Sequence, residues 1–451
     1  MQKAVIHIRA VIGRIIFIGL SIQVVFGILW MCCSFTHLQW FSESSFYVRV
    51  SESMVCDEYT GILYPFLLML TGQNTTLLCL LQIALALAAG FCFLGALGVK
   101  RTCWRVWGSL VLLTYPFALQ CHMAVLPNSF AFSCFLLQVA LVLMATKKQK
   151  RSWMVELFGV HVLWLGASLL QTEYFYLGAV PVILFWLYDV VKYCKKAGWR
   201  VCCHLLLVAA FAGLILSING LTQTKGAYER STPSAEAAIF KRIVWSSMEK
   251  YYFDWPEDIQ DTFTTEEFQR SEEYVENMDR ILLPRIESEV GLERAKDFYW
   301  DMSIHVLKNN YYQIFYEMGW DALGNLFPVI ATDKILEGNG YRSYCVRNYE
   351  TLRQDCPALT SCYINYEIWW FPIGMVLAAV QLLLGFLGRK KVWLGKRLWR
   401  YLLCALPAAV MTAWYTITCV GSWDYKNGLF VGILWIVWMT VTAVKGVEEE
   451  L

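Results

Sequence analysis

The chain has 451 residues, of which 57% are hydrophobic and 16% charged, with a mean hydropathy of +0.45 and a formal net charge of +2. Average soluble domains carry roughly 25% charged residues, so the composition excludes a soluble globule and indicates an all-α polytopic membrane protein. The near-neutral total conceals a segregation: residues 220–366 hold 24 Asp plus Glu against 15 Lys plus Arg, while basic clusters punctuate the remainder.

A hydrocarbon core about 30 Å thick needs roughly 20 apolar residues in a helix. The first such run, 11–34, follows basic residues as a signal peptide's would. It has no small-residue cleavage site, so it reads as an uncleaved first helix. Segments 77–98, 127–146, 153–171, 173–191, 201–219, 368–388 and 398–420 are long enough to follow it across. Two shorter runs, 106–121 and 428–444, complete a set of about ten spans. GILYPFLLML (61–70) is too short to cross and reads as a re-entrant or interfacial helix.

Lys and Arg fix the expected orientation. Alternate loops carry clusters such as Lys100, Arg101 and Arg105, then Lys147, Lys148, Lys150 and Arg151, then Lys192, Lys195, Lys196 and Arg200. A further cluster runs from Arg389 to Arg400, whereas the short opposite loops hold only Arg49 and Lys426. The positive-inside rule then puts both termini in the cytoplasm of a multi-pass cell-membrane protein and residues 220–366 outside it. Three domains follow: a membrane core of seven helices (1–219), an acidic extracytoplasmic domain between helices 7 and 8 (220–366), and three C-terminal membrane helices (367–451). Apolar residues recur three or four apart in AEAAIFKRIVWSSMEKYY and LERAKDFYWDMSIHVLKNNYYQIFYEMGW, so the acidic domain is expected to be mainly helical.

Most of the 16 cysteines lie in apolar runs, as Cys79, Cys92, Cys134 and Cys404 do, where a thiol acts as a small hydrophobe. No CxxC or Cys/His ligand spacing occurs, and no metal or cofactor is expected. Cys345, Cys356 and Cys362 are close enough in sequence for one disulfide in an oxidising compartment, or for free thiols in a reducing one. No phosphate-cradling glycine loop or nucleic-acid signature is present, so nucleic acid is not an expected partner.

Polar groups beside the hydrocarbon boundary are the natural reactive candidates, because charge there is costly. The first outward loop, 35–60, offers Glu43, Glu52, Asp57 and Glu58. His122 and His161 lack ligand partners at i+3 or i+4 and read as packing residues.

The order Glu43, Tyr47, then Tyr64-Pro65 opening GILYPFLLMLTG, then LLCLLQIALALAAGFCFLGALGVKR, resembles the N-terminal region of C-type multi-spanning glycosyltransferases. These enzymes use polyprenyl-phosphate sugars and include the protein mannosyltransferases and aminoarabinose transferases. The likeness continues in LLTYPFALQCHMAVLPNSFAFSCFLLQVALVL, SLLQTEYFYLGAVPVILFWL and GSWDYKNGLF. It implies a helical membrane core whose outward loops hold a carboxylate that activates the acceptor. Glu43 is then the base, with Asp57 and Glu58 as further catalytic carboxylates. Arg49, Lys225 and Arg230 are the expected phosphate partners, and Tyr47, Tyr64, Glu173 and Lys426 line the substrate path. The implied partners are a polyprenyl-phosphate sugar donor, an extracytoplasmic acceptor (glycan, lipid or protein) and the lipid bilayer. Separately, the lack of basic-rich extensions and retention signals makes a bacterial inner or only membrane the expected setting of this cell-envelope protein.

The chain has Ser42-Glu43 where that family carries Asp or Asp-Glu, and Pro127-Asn128-Ser129 where it often carries a second acid. These departures leave open a non-catalytic receptor or assembly factor on the same scaffold. A polysaccharide polymerase or ligase also has many helices and a large late outer loop, but relies on basic residues there.

Overall fold

The computed structural model describes residues 2–35, 42–54, 61–147, 153–193, 197–222, 235–262, 264, 266–268, 278–326, 357–387, 394–418 and 425–448. Among these the secondary structure is helical, with no strand. The chain forms two compact units: Met1–Glu229 with Pro328–Ala409 and Gly428–Leu451, and Arg230–Phe327 with Val410–Asn427.

The first unit contains α1 (Gln2–Ser34), α2 (Ser42–Ser53), α3 (Leu63–Leu70), α4 (Thr75–Leu97), α5 (Thr102–Thr114) and α6 (Pro116–His122). It continues with α7 (Asn128–Lys147), α8 (Trp153–Leu170), α9 (Tyr174–Tyr193) and α10 (Ala197–Thr222). Seven helices among the described residues are long and apolar enough to cross a bilayer: His7–Cys33, Thr75–Leu97, Asn128–Thr146, Trp153–Leu170, Tyr174–Lys192, Gly198–Leu221 and Leu429–Val447. The protein is thus an all-α, multi-pass membrane protein. Its ends are shaped by ordinary helix chemistry. Asn74 caps α4 by accepting from the Leu77 amide at 3.0 Å, and Gly98 closes it in the left-handed conformation at φ 103°.

The run expected as one span at 106–121 is divided. Pro116 lacks an amide hydrogen and forces the preceding Tyr115 into an extended conformation (φ −62°, ψ 130°), so α5 stops and α6 starts afresh. Side chains satisfy carbonyls near the end of α5: Gln23 Nε2 donates to Val111 O (3.2 Å), Thr114 Oγ1 to Leu110 O (2.8 Å), and Tyr363 Oη to Thr114 O. α3 rises only ~12 Å and cannot cross a bilayer.

The later apolar stretches form α16 (Pro357–Leu387), α17 (Leu394–Thr418) and α18 (Tyr425–Glu448). α1 runs antiparallel to α16, since Tyr366 Oη donates to Gly19 O (2.6 Å) while the later Gln381 donates to the earlier Arg9 O (3.2 Å). It also runs antiparallel to α18. A Cβ on Gly13 would lie 2.6 Å from Gly446 Cα, while Gly27 and Gly432 abut the adjacent residues Thr114 and Tyr115. Small residues here let backbones approach, as membrane helix interfaces require.

The second unit is built on α11 (Ala235–Val244), α12 (Met248–Tyr251), α13 (Glu257–Gln260), α14 (Leu283–Val290) and α15 (Leu292–Leu326). Ala237, Phe240 and Val244 recur three and four apart on α11 and bury against Phe298, Tyr299 and Met302 of α15, with Trp255 closing the core. Arg242, 3% exposed, reaches Asp321 (2.7 Å) and Glu317 (3.8 Å). α15 kinks at Asn310 (φ −136°), whose side chain donates to Ser247 Oγ at 2.9 Å.

Candidate functional site

α2 carries Phe46 and Val50 four residues apart, and both bury where Tyr47 and Ile62 pack against them. Tyr47 meets Tyr64 of α3 edge to face, ring centroids 5.2 Å apart. Two residues singled out from sequence are therefore brought together. Arg49 is exposed, its guanidinium 5.8 Å from the Phe46 ring. Ser51 and Glu52 tie α2 to the turn after α3, each accepting from Gln73 Nε2 (3.1 and 3.5 Å).

Below Tyr64 lies a buried polar hub. Tyr64 Oη donates to Gln82 Oε1 at 3.5 Å, and Gln82 Nε2 donates to the carbonyls of Cys121, His122 and Ala124 at 3.3, 3.3 and 3.1 Å. His122 Nδ1 lies 2.6 Å from Ser129 Oγ, and Asn128 beside it is buried. Burial, with smaller contributions from Cys79 and Tyr47, holds the Tyr64 phenol well above its ordinary range, so it remains a neutral donor. One amide of α4 thereby fixes the α6–α7 turn beneath α3. The α8–α9 turn joins at the same place: a Cβ on Gly61 would sit 2.2 Å from Leu169 O. Glu173 follows in that turn and accepts from Gln171 Nε2 at 3.3 Å.

Glu43 falls in the first turn of α2 and Lys426 in the first turn of α18, their side chains lying outside the description. Asp57, Glu58, Lys225 and Arg230 lie outside the described residues, as do Cys345 and Cys356. Among the described residues no group of three His, Cys, Asp or Glu is gathered as a metal ion would need. His161 packs as expected, Nδ1 bonded to Leu157 O (2.8 Å) with Phe211 and Trp164 around the ring.

Two polar features escape sequence reading. Asp189, 2% exposed, accepts from Trp153 Nε1 (2.6 Å) and Arg200 Nη1 (3.3 Å) and faces His204 Nε2 at 3.3 Å, joining α8, α9 and α10. Glu367 on α16 is 1% exposed, and neither carboxyl oxygen has a hydrogen-bond partner among the described residues. The flanking phenols are committed elsewhere, Tyr363 to Thr114 O at the α5–α6 break and Tyr366 to Gly19 O. The only sequence sign was one acid among aromatics in YINYEIWWF, at the head of an apolar run.

No family model, curated protein or solved structure matches the chain.

Proposed function

We propose that this chain is a membrane glycosyltransferase that moves a sugar from a polyprenyl-phosphate carrier to an extracytoplasmic acceptor. The observation that carries the reading is the packing of α2 on α3 through the Tyr47–Tyr64 pair, over a hub that holds the α6–α7 turn. Positions 43 and 47, four apart, share a face of α2. A base at position 43 is therefore carried on an element whose partner face is rigidly seated, which is what proton abstraction at a defined distance requires.

In the proposed step the Glu43 carboxylate takes the acceptor hydroxyl proton as that oxygen bonds to the anomeric carbon. The bond from that carbon to the carrier phosphate breaks, and its electron pair leaves on the phosphate. Arg49 is the cation nearest in sequence to receive that charge. The parts assigned to Lys225, Arg230 and Lys426 at the phosphate, to Asp57 and Glu58 as further carboxylates, and to Glu173 at the acceptor rest on sequence alone. About ten spans, cytoplasmic termini and an outward 220–366 belong to the same reading. The Lys/Arg asymmetry and the antiparallel pairing of α1 with α18 support them.

The test is transfer from labelled polyprenyl-phosphate sugars by purified protein, comparing wild type with Glu43→Gln and Tyr64→Phe. Loss of turnover in Glu43→Gln with folding intact supports the reading. Equal turnover removes Glu43 from the mechanism, and no turnover from any carrier sugar favours the non-catalytic alternative.

A second reading, a proton-coupled carrier, is favoured by Glu367 beside the α5–α6 break. A buried membrane carboxyl next to a discontinuous helix is the usual build of such a site. Proton uptake by proteoliposomes that disappears in Glu367→Gln would establish it.

A further inference from the structure

Beyond the kink at Asn310, α15 turns an aromatic face outward. Tyr311, Tyr312, Phe315, Tyr316, Trp320 and Leu323 are 61, 77, 61, 59, 61 and 48% exposed. At 3.6 residues per turn these positions cover roughly half the helix circumference. The opposite side is fully employed: Ile314 and Met318 pack in the core, and Glu317 and Asp321 engage Arg242. Each aromatic side chain can bury roughly 150–250 Å², so the uncovered face is on the order of 500 Å², the size at which an exposed apolar patch is usually a binding surface.

We propose that this face of α15 lies in the headgroup layer of the bilayer and seats the second unit on the membrane. Two observations select lipid as the occupant. The composition is that of a bilayer interface, where Tyr and Trp bury their rings and keep a polar edge wet, and the face itself carries no carboxylate. The compact unit that contains α15 also contains Val410–Asn427, the end of the apolar helix α17, with Val410, Trp414 and Ile417 outward at 41, 44 and 42% exposure. The unit thus already holds the end of a helix whose 398–420 run is expected from sequence to cross the bilayer, which keeps α15 in the same compact unit as a membrane segment. The inference does not depend on whether the protein transfers sugar.

The test uses the full chain in nanodiscs containing a phospholipid with a photoactivatable diazirine near the headgroup, with adducts mapped by mass spectrometry. Adducts are expected on Tyr312, Tyr316 and Trp320 and not on Ile314 or Met318, with α4 and α10 as internal positive controls. The Tyr312→Ser/Trp320→Ser variant should lose adducts along 311–326 several-fold while hydrogen exchange in the α11–α15 core stays unchanged. Strong labelling of α4 and α10 with none on the aromatic face overturns the proposal. So does protection of that face that persists in detergent together with cross-links to residues 327–356 or to a second copy, which would make protein the occupant.

Discussion

Replacing Gln82 with Leu tests the hub directly. The amide nitrogen serves three buried carbonyls and the amide oxygen receives the Tyr64 phenol. With two amide hydrogens shared among three acceptors, the substitution strands about two carbonyl bonds and one hydroxyl. At ~1–3 kcal/mol per stranded buried group, this is a loss of about 3–9 kcal/mol. Leucine recovers about 1–2 kcal/mol by apolar burial, leaving a net cost of at least about 1 kcal/mol. Cys79, fully buried on α4 three residues from Gln82, is the reporter. If the site opens as one unit, that cost raises the open population by at least about fivefold. The rate of maleimide labelling at Cys79, read peptide by peptide, should rise accordingly, while exposed Cys202 on α10 labels at its original rate. A change at Cys79 below about threefold, equivalent to under ~0.7 kcal/mol, would refute the claim that one amide holds the α6–α7 turn.

Gly432→Ala places a methyl 1.7 Å from Tyr115 Oη and should lower the unfolding temperature in detergent, with Tyr115→Phe in the same chain restoring only part of the loss, because the nearest clashing atom is removed while ring carbons at 2.2 and 2.5 Å remain. Arg242→Ala removes the cation from Glu317 and Asp321, which are themselves partly exposed, at a cost of about 1.5–3 kcal/mol, seen as faster hydrogen exchange in α11 and α15 but not in α4 or α7. Glu367→Gln keeps the shape of a side chain that has no ion-pair partner among the described residues, and should match the wild-type unfolding temperature to within about 1 kcal/mol in stability. Glu367→Lys, too long and charged for that place, should prevent accumulation in the membrane, read by immunoblot.

Helix type and membrane character were legible because they depend on local periodicity and run length, which α4, α8 and α10 state plainly. The break at Tyr115–Pro116 was legible in principle, since proline's missing amide acts locally, yet the surrounding run of apolar residues hid it inside an apparent span. Residues 35–60 read as a loop, so neither α2 nor the pairing of its Tyr47 with Tyr64 was foreseen; the resemblance only singled out the two tyrosines. Gln82 was invisible because its acceptors are backbone carbonyls some forty positions away, and a carbonyl leaves no residue-type signature. Arg242 was hidden for a related reason. Glu317 and Asp321 lie one turn apart on α15, but nothing in their spacing names a cation on α11.

The close approach of Gly13 to Gly446 has a consequence for biogenesis. α1 finds its glycine-lined seat only when the distant segment around Gly446 emerges, on the order of tens of seconds later at ~5–20 residues per second. Until then that groove stands open to lipid or to insertion chaperones. A nascent chain truncated before Leu429 should therefore be a substrate for membrane quality control even though α1 to α17 are made.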